Sequence, residues 1–144
     1  MAMNERPPMA GLHHFSPTVT DIEASVSWYQ RVLGLERLPG KFPHYGNEEA
    51  GYGVILVDFD ANIVIVLEHH EANDGKPFSE TRTGLDHIGI SVPSHADLKS
   101  WAEWLDGLGV PHSGVIDIDG ALKYSTLVFR DPDNIQLEFF FMGG

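Results

Sequence analysis

With 144 residues, 42 % hydrophobic and 21 % charged, the chain has the size and balance of one globular domain with a buried core, not of a disordered protein. It has no cysteine, which excludes disulfides and cysteine-ligated zinc or iron–sulfur sites, leaves His and oxygen donors for any metal, and fits a reducing cytoplasmic setting. A net charge of −12 with only 9 Lys and Arg argues against a nucleic-acid partner and is compatible with a cationic small ligand, and no apolar run approaches the ~20 residues of a membrane span.

Residues 1–10 are polar, contain Pro7-Pro8 and lack the apolar stretch of a signal peptide, so they read as a flexible tail. Residues 12–19 suit a strand, with Pro17 at an edge or irregularity. Thr20-Asp21 offers an N-cap, Ile22, Val26, Tyr29 and Leu33 recur at helical spacing, and Gly34 is the stop. Residues 35–50 carry Pro39-Gly40, Pro43 and Gly46-Asn47 and read as a loop, with a short strand at 35–38 and with Phe42, His44 and Tyr45 available to wall a pocket. Residues 53–59 and 63–67 read as a hairpin closed by Asp60-Ala61-Asn62. The polar residues beyond Leu67 lead into a linker at 71–83. Strand 85–92 follows, then a helix with Ala96, Leu98, Trp101, Leu105 and Leu108 on its apolar face and Gly109 as its stop. Strands at 110–117, 125–129 and 135–141 complete the chain, the last two separated by Asp131-Pro132-Asp133-Asn134.

Each half therefore reads strand, helix, three strands, and the halves repeat. Gly11-Leu12-His13-His14 returns as Gly84-Leu85-Asp86-His87, an offset of 73 (84 − 11), and Trp28 maps to Trp101 at the same offset. In the closing hairpins Asn62-Ile63 maps to Asn134-Ile135 at an offset of 72 (134 − 62). The expected organisation is a module at 11–70, a linker at 71–83 and a second module at 84–144. Under this repeat His14 is equivalent to His87, and Val66 to Glu138. If the modules pair about a pseudo-two-fold, these four positions converge. Two imidazoles and one carboxylate with open positions suit Fe(II), Mn(II), Zn(II), Ni(II) or Co(II).

Four stretches carry a resemblance to a known family: His14-Phe15-Ser16-Pro17-Thr18-Val19-Thr20-Asp21, Ser27-Trp28-Tyr29-Gln30-Arg31-Val32-Leu33-Gly34-Leu35, Gly84-Leu85-Asp86-His87-Ile88-Gly89-Ile90 and Asp131-Pro132-Asp133-Asn134-Ile135-Gln136-Leu137-Glu138. Over residues 11–141 the chain resembles the vicinal oxygen chelate superfamily, which takes in glyoxalase I, fosfomycin-resistance transferases, extradiol ring-cleaving dioxygenases and bleomycin-resistance proteins. The resemblance implies an α+β fold of two tandem βαβββ modules whose curled mixed sheets surround a metal-binding cleft, and a homodimer. It carries the metal positions over onto His14, His87 and Glu138. Val66 departs from the glyoxalase I pattern, which places a fourth ligand and base there, so a three-ligand centre of dioxygenase or lyase/transferase type is expected. Glu68 and His70 share strand parity with Val66, and Glu68 would sit about 6.6 Å beyond it.

The expected function is a metal-dependent enzyme whose small substrate chelates the metal through two neighbouring oxygens. The metal would act as Lewis acid or, if iron, would activate O₂. Glu68, and after it Tyr124, are the expected proton-transfer residues, with His69-His70 as further candidates. The competing expectation is a bleomycin-resistance-type protein that sequesters a small molecule without chemistry.

Overall fold

The computed structural model describes residues 5–44 and 47–143. The first four residues of the expected tail, Tyr45 and Gly46 of the expected pocket loop, and Gly144 lie outside the described residues. Helix α1 (Ile22–Leu33) starts where the Asp21 carboxylate accepts the Ala24 amide, and ends where Gly34 adopts φ 67° and donates its N–H to the Gln30 carbonyl. Helix α2 (His95–Gly107) is capped by Ser94, which accepts the Asp97 amide. It closes in a Schellman motif, with Gly109 bonded to the Asp106 carbonyl and Val110 to that of Leu105.

The fold is α+β, with a helix and a four-stranded sheet in each half. Strands β1 (Glu36–Arg37), β2 (Phe42–His44), β3 (Asn47–Asp58) and β4 (Ile63–His70) form an antiparallel sheet. Within it β4 pairs along one edge of β3, while β1 and β2 pair along the other. Strands β5 (His87–Ser91), β6 (His112–Asp119), β7 (Lys123–Arg130) and β8 (Gln136–Met142) form a mixed sheet in the order β5-β8-β7-β6, with β5 parallel to β8.

Three expectations are corrected. The strand expected at 12–19 is reduced to two parallel bridges onto β4, at Phe15–Ile65 and Thr18–Glu68. The cause is Pro17: Phe15 donates to Val64 and Val19 to Glu68, and the carbonyls of Phe15 and Pro17 accept the amides of Val66 and Glu68, but Pro17 has no N–H to give between them. The segment at 35–50 is not a loop, since β1, β2 and the start of β3 lie in it. Pro39-Gly40 interrupts an edge strand whose two pieces still find partners on β3, Glu36 opposite Val57 and Phe42 opposite Gly53. The hairpin also runs past Leu67, because Glu68, His69 and His70 pair with Gly53, Tyr52 and Gly51.

Strand alternation gives each sheet two unlike faces. One face lies under the helices: Val54, Leu56, Ile65 and Leu67 from the first sheet and Leu127, Phe129, Leu137 and Phe139 from the second are buried in one core with Val26, Tyr29, Val32, Leu98 and Leu105. The other face points away from the helices. It carries Ile55, Val66, Glu68 and His70 in the first sheet, and Tyr124, Thr126, Glu138 and Phe140 in the second.

Candidate metal centre

His87 opens β5, and Glu138 lies on β8 opposite Gly89, so both side chains rise from the bare face of the second sheet. His87 Nε2 is 3.2 Å from Glu138 Oε1. Gly89 makes the approach possible, because a Cβ there would stand 3.3 Å from the same carboxylate oxygen. Thr126 Oγ1 donates to Glu138 Oε2 at 2.9 Å and fixes the carboxylate plane. On the far side of the imidazole, His87 Nδ1 is 2.7 Å from Asp86 Oδ1. A carboxylate can only accept there, so Nδ1 carries the proton and Nε2 is left to ligate. The Asp86 hydrogen bond, with the charge of Glu138 behind it, raises the His87 pKa, partly opposed by desolvation.

The equivalence of Val66 with Glu138 holds in the strand register. Phe15 lies opposite Ile65 as Ile88 lies opposite Leu137, so Ser16 faces Val66 as Gly89 faces Glu138. Val66 supplies no donor. His14 is exposed, with its Nδ1 2.8 Å from His13 Nδ1, and lines a cavity on the first sheet together with Thr18, Phe42, His44, Glu68 and His70. Tyr124 shares the bare face of the second sheet with Glu138 but stacks on Phe140, ring centroids 5.1 Å apart. Among the described residues of one chain, no group of three or more His, Asp or Glu side chains is placed to hold a metal. The four equivalent positions thus do not converge inside one chain. The halves join through the helix side, where Trp28 stacks on Phe129, the Tyr29 hydroxyl donates to Asp131 and Trp104 Nε1 donates to the Val32 carbonyl.

This arrangement of half-sites on two curled sheets agrees with a family model, described as the Glyoxalase/Bleomycin resistance protein/Dioxygenase superfamily, that matches residues 11–139. The chain belongs to this superfamily. A crystal structure of a glyoxylase/bleomycin resistance protein/dioxygenase domain from Frankia sp. EAN1pec is 30 % identical, with a TM-score of 0.80 over 94 % of this chain and 100 % of that one. The fosfomycin resistance protein FosX from Listeria monocytogenes shares the fold at 14 % identity, with a TM-score of 0.66 over 94 % of each chain. MhqA of Bacillus subtilis (strain 168), provisionally named a ring-cleaving dioxygenase, is 28 % identical over 127 residues, which cover 88 % of this chain and 39 % of MhqA. The chain thus spans about two fifths of that relative's length.

In this glyoxalase/dioxygenase-superfamily chain, sequence reasoning missed the residues that hold the His87–Glu138 pair in place. Asp86 and Thr126 are ordinary polar residues in strand context, and only the register reveals their aim. Gly89 did leave a signal, a glycine inside a strand two residues beyond a histidine. The sequence offers His44 only as a residue of a loop that could wall a pocket. It is in fact paired with Glu68, its Nδ1 3.3 Å from Oε2.

Proposed function

We propose that the chain is a metal-dependent enzyme with a three-ligand His14, His87, Glu138 centre, assembled between two copies in a homodimer and acting on a small substrate that offers two neighbouring oxygens. The observation that carries this reading is the His87–Glu138 pair. Two ligands adjacent on one metal, each bonded at about 2.1 Å, lie about 3 Å apart, and Nε2 and Oε1 are 3.2 Å apart, with their other atoms tied to Asp86 and Thr126. The donor set of imidazole and carboxylate fits Fe(II), Mn(II), Zn(II), Ni(II) or Co(II). His14 is the equivalent of His87 on the other bare face, and a second copy is the partner that could bring it to the pair.

When bound, the metal would supply Lewis-acid polarisation of the substrate oxygens or, as iron, O₂ activation. The chain's own contribution is positioning. Asp86 holds the His87 tautomer, Thr126 and Gly89 hold the Glu138 carboxylate, and the apolar Val66 leaves room for substrate where a fourth protein ligand would stand. Tyr124, on the same face as Glu138, is the residue of the second sheet to which this reading gives proton transfer to or from the substrate. The provisional name of MhqA, a ring-cleaving dioxygenase, favours ring cleavage over lyase or transferase chemistry.

Metal analysis of protein purified without chelator, with titrations of Fe(II), Mn(II), Zn(II) and Ni(II), tests the reading. The wild type binds metal as a dimer, His87→Ala retains none while staying folded, and Asp86→Asn lowers affinity about 10–100-fold. A wild type that takes up no metal, or a His87→Ala variant with unchanged metal content, would leave a binding protein without a metal centre.

A further inference from the structure

The two halves of the chain open alike in their backbone. Gly11 and Gly84 both take positive φ, 98° and 155°, and nothing lies within 4 Å of where a Cβ would stand on either. Conformation, not space, therefore calls for glycine at both openings. Three residues on come His14 and His87. Each directly precedes an equivalent strand position, Phe15 opposite Ile65 in the first half and Ile88 opposite Leu137 in the second. Between glycine and histidine the copies differ in chemistry, because His13 stands where the second copy has Asp86.

The side chains make the same contact in spite of that difference. His87 Nδ1 is 2.7 Å from Asp86 Oδ1, and His14 Nδ1 is 2.8 Å from His13 Nδ1. In both halves the preceding residue takes Nδ1 and leaves Nε2 to ligate. The His13 and His14 rings meet edge to face, at 89° with centroids 5.0 Å apart, so the contact is not a stack. Coordination settles which ring donates. A neutral imidazole has one N–H, and with Nε2 given to a metal that hydrogen sits on Nδ1. His14 Nδ1 then donates and His13 Nδ1 accepts, as Asp86 accepts from His87.

We infer that His13 is the positioning residue of His14, an uncharged counterpart of Asp86 that fixes the His14 ring with Nε2 directed at the metal. The inference rests on the proposed His14, His87, Glu138 centre. Exchanging carboxylate for imidazole makes the two half-sites unequal. A carboxylate partner makes the imidazole it holds a stronger ligand, and an uncharged acceptor does so less. His87 is therefore the anchoring histidine. His14 is the weaker ligand, and the affinity of the centre is tuned at residue 13. Both His13 and His14 are exposed, so a substitution at residue 13 removes no core contact.

The test is Zn(II) titration of the full chain against a competing chelator, joined to heteronuclear NMR of the histidine rings in the zinc-loaded protein. His13→Ala stays folded by thermal unfolding and binds Zn(II) about 10–100-fold more weakly than the wild type. His13→Asn, which keeps an uncharged acceptor, binds close to the wild type. His13→Asp, which copies the second half, binds more tightly than His13→Asn. In the loaded wild type the His14 hydrogen is on Nδ1, and a coupling across the hydrogen bond joins it to His13 Nδ1. A His13→Ala variant that binds as the wild type does, a His13→Asp variant no tighter than His13→Ala, or Zn(II) bound by His13 itself overturns the positioning role and leaves the metal centre standing. A wild type that takes up no Zn(II) overturns the centre and this role together, so the two failures are told apart by the wild-type titration alone.

Discussion

Asp131 lies buried at the start of the last turn, where Oδ1 accepts the amides of Asp133 and Ile135 and Oδ2 accepts the Tyr29 hydroxyl at 2.8 Å. Its residue type suggests acid–base chemistry, but its contacts are those of a turn anchor joining α1 to the second sheet. Burial raises its pKa, against the pull of the three hydrogen bonds, and pushes the Tyr29 hydroxyl well above its ordinary value. Tyr29→Phe leaves Oδ2 buried without its donor and is expected to cost about 1–3 kcal/mol in urea unfolding. A raised acid favours the folded state only while protonated. This contribution is present below the ordinary Asp pKa and is lost as pH rises through the raised value. Asp131→Asn keeps both amide bonds and lets the Tyr29 hydroxyl turn to accept. Its unfolding midpoint should therefore fall less than the wild type's as pH rises above the ordinary Asp value.

At the scale of elements, the two hairpin turns show the repeat in their backbone. Asn62 and Asn134 both take positive φ, 56° and 68°. Asn62 donates to the Phe59 carbonyl as Asn134 does to that of Asp131. A left-handed conformation costs an alanine about 1–2 kcal/mol, so Asn62→Ala should lower stability by about 1 kcal/mol, while Asn62→Gly stays within a few tenths of wild type. The segment between the sheets is docked onto the second turn. Phe78 bonds the Asp133 carbonyl, Asn134 reaches back to the Phe78 carbonyl, and Arg130 holds Glu80 at 2.7 Å. Arg130 lowers the Glu80 pKa to about 2. The pair's contribution to folding is thus present above the ordinary Glu value and is lost as pH falls through about 2. Carboxyl NMR titration should find Glu80 at that low midpoint, and at a higher one in Arg130→Ala, where only the backbone hydrogen bond still lowers it.

For the whole molecule, one core spans both halves, because Leu67 and Ile65 belong to the same buried cluster as Leu127, Leu137 and Phe139. The chain should therefore unfold in one transition by every probe. Leu137→Ala should cost about 2–5 kcal/mol and shift signals from both sheets together. Two separated transitions would mean that the helix-side contacts do not couple the halves. No helix among the described residues is long and apolar enough to cross a membrane.

The sequence by itself determined the two helices with the N-cap of the first and the glycine stops of both, the hairpins, the repeat and the equivalence under it of His14 with His87 and of Val66 with Glu138. These follow from local rules, a capping side chain, a 3.6- or 2-residue period, a turn residue, all of which act within a few residues. The broken edge strand at β1 and β2 was hidden because Pro39-Gly40 signals a loop, whereas pairing with β3 is a long-range fact. The tertiary structure alone decided that His87 meets Glu138 while His14 stands apart beside Glu68 and His44. Side-chain alternation says which face a residue takes, but not which face it meets. That depends on how the helices bring the two sheets together: they bury one face of each in a shared core, and they leave the faces that carry the donors uncovered.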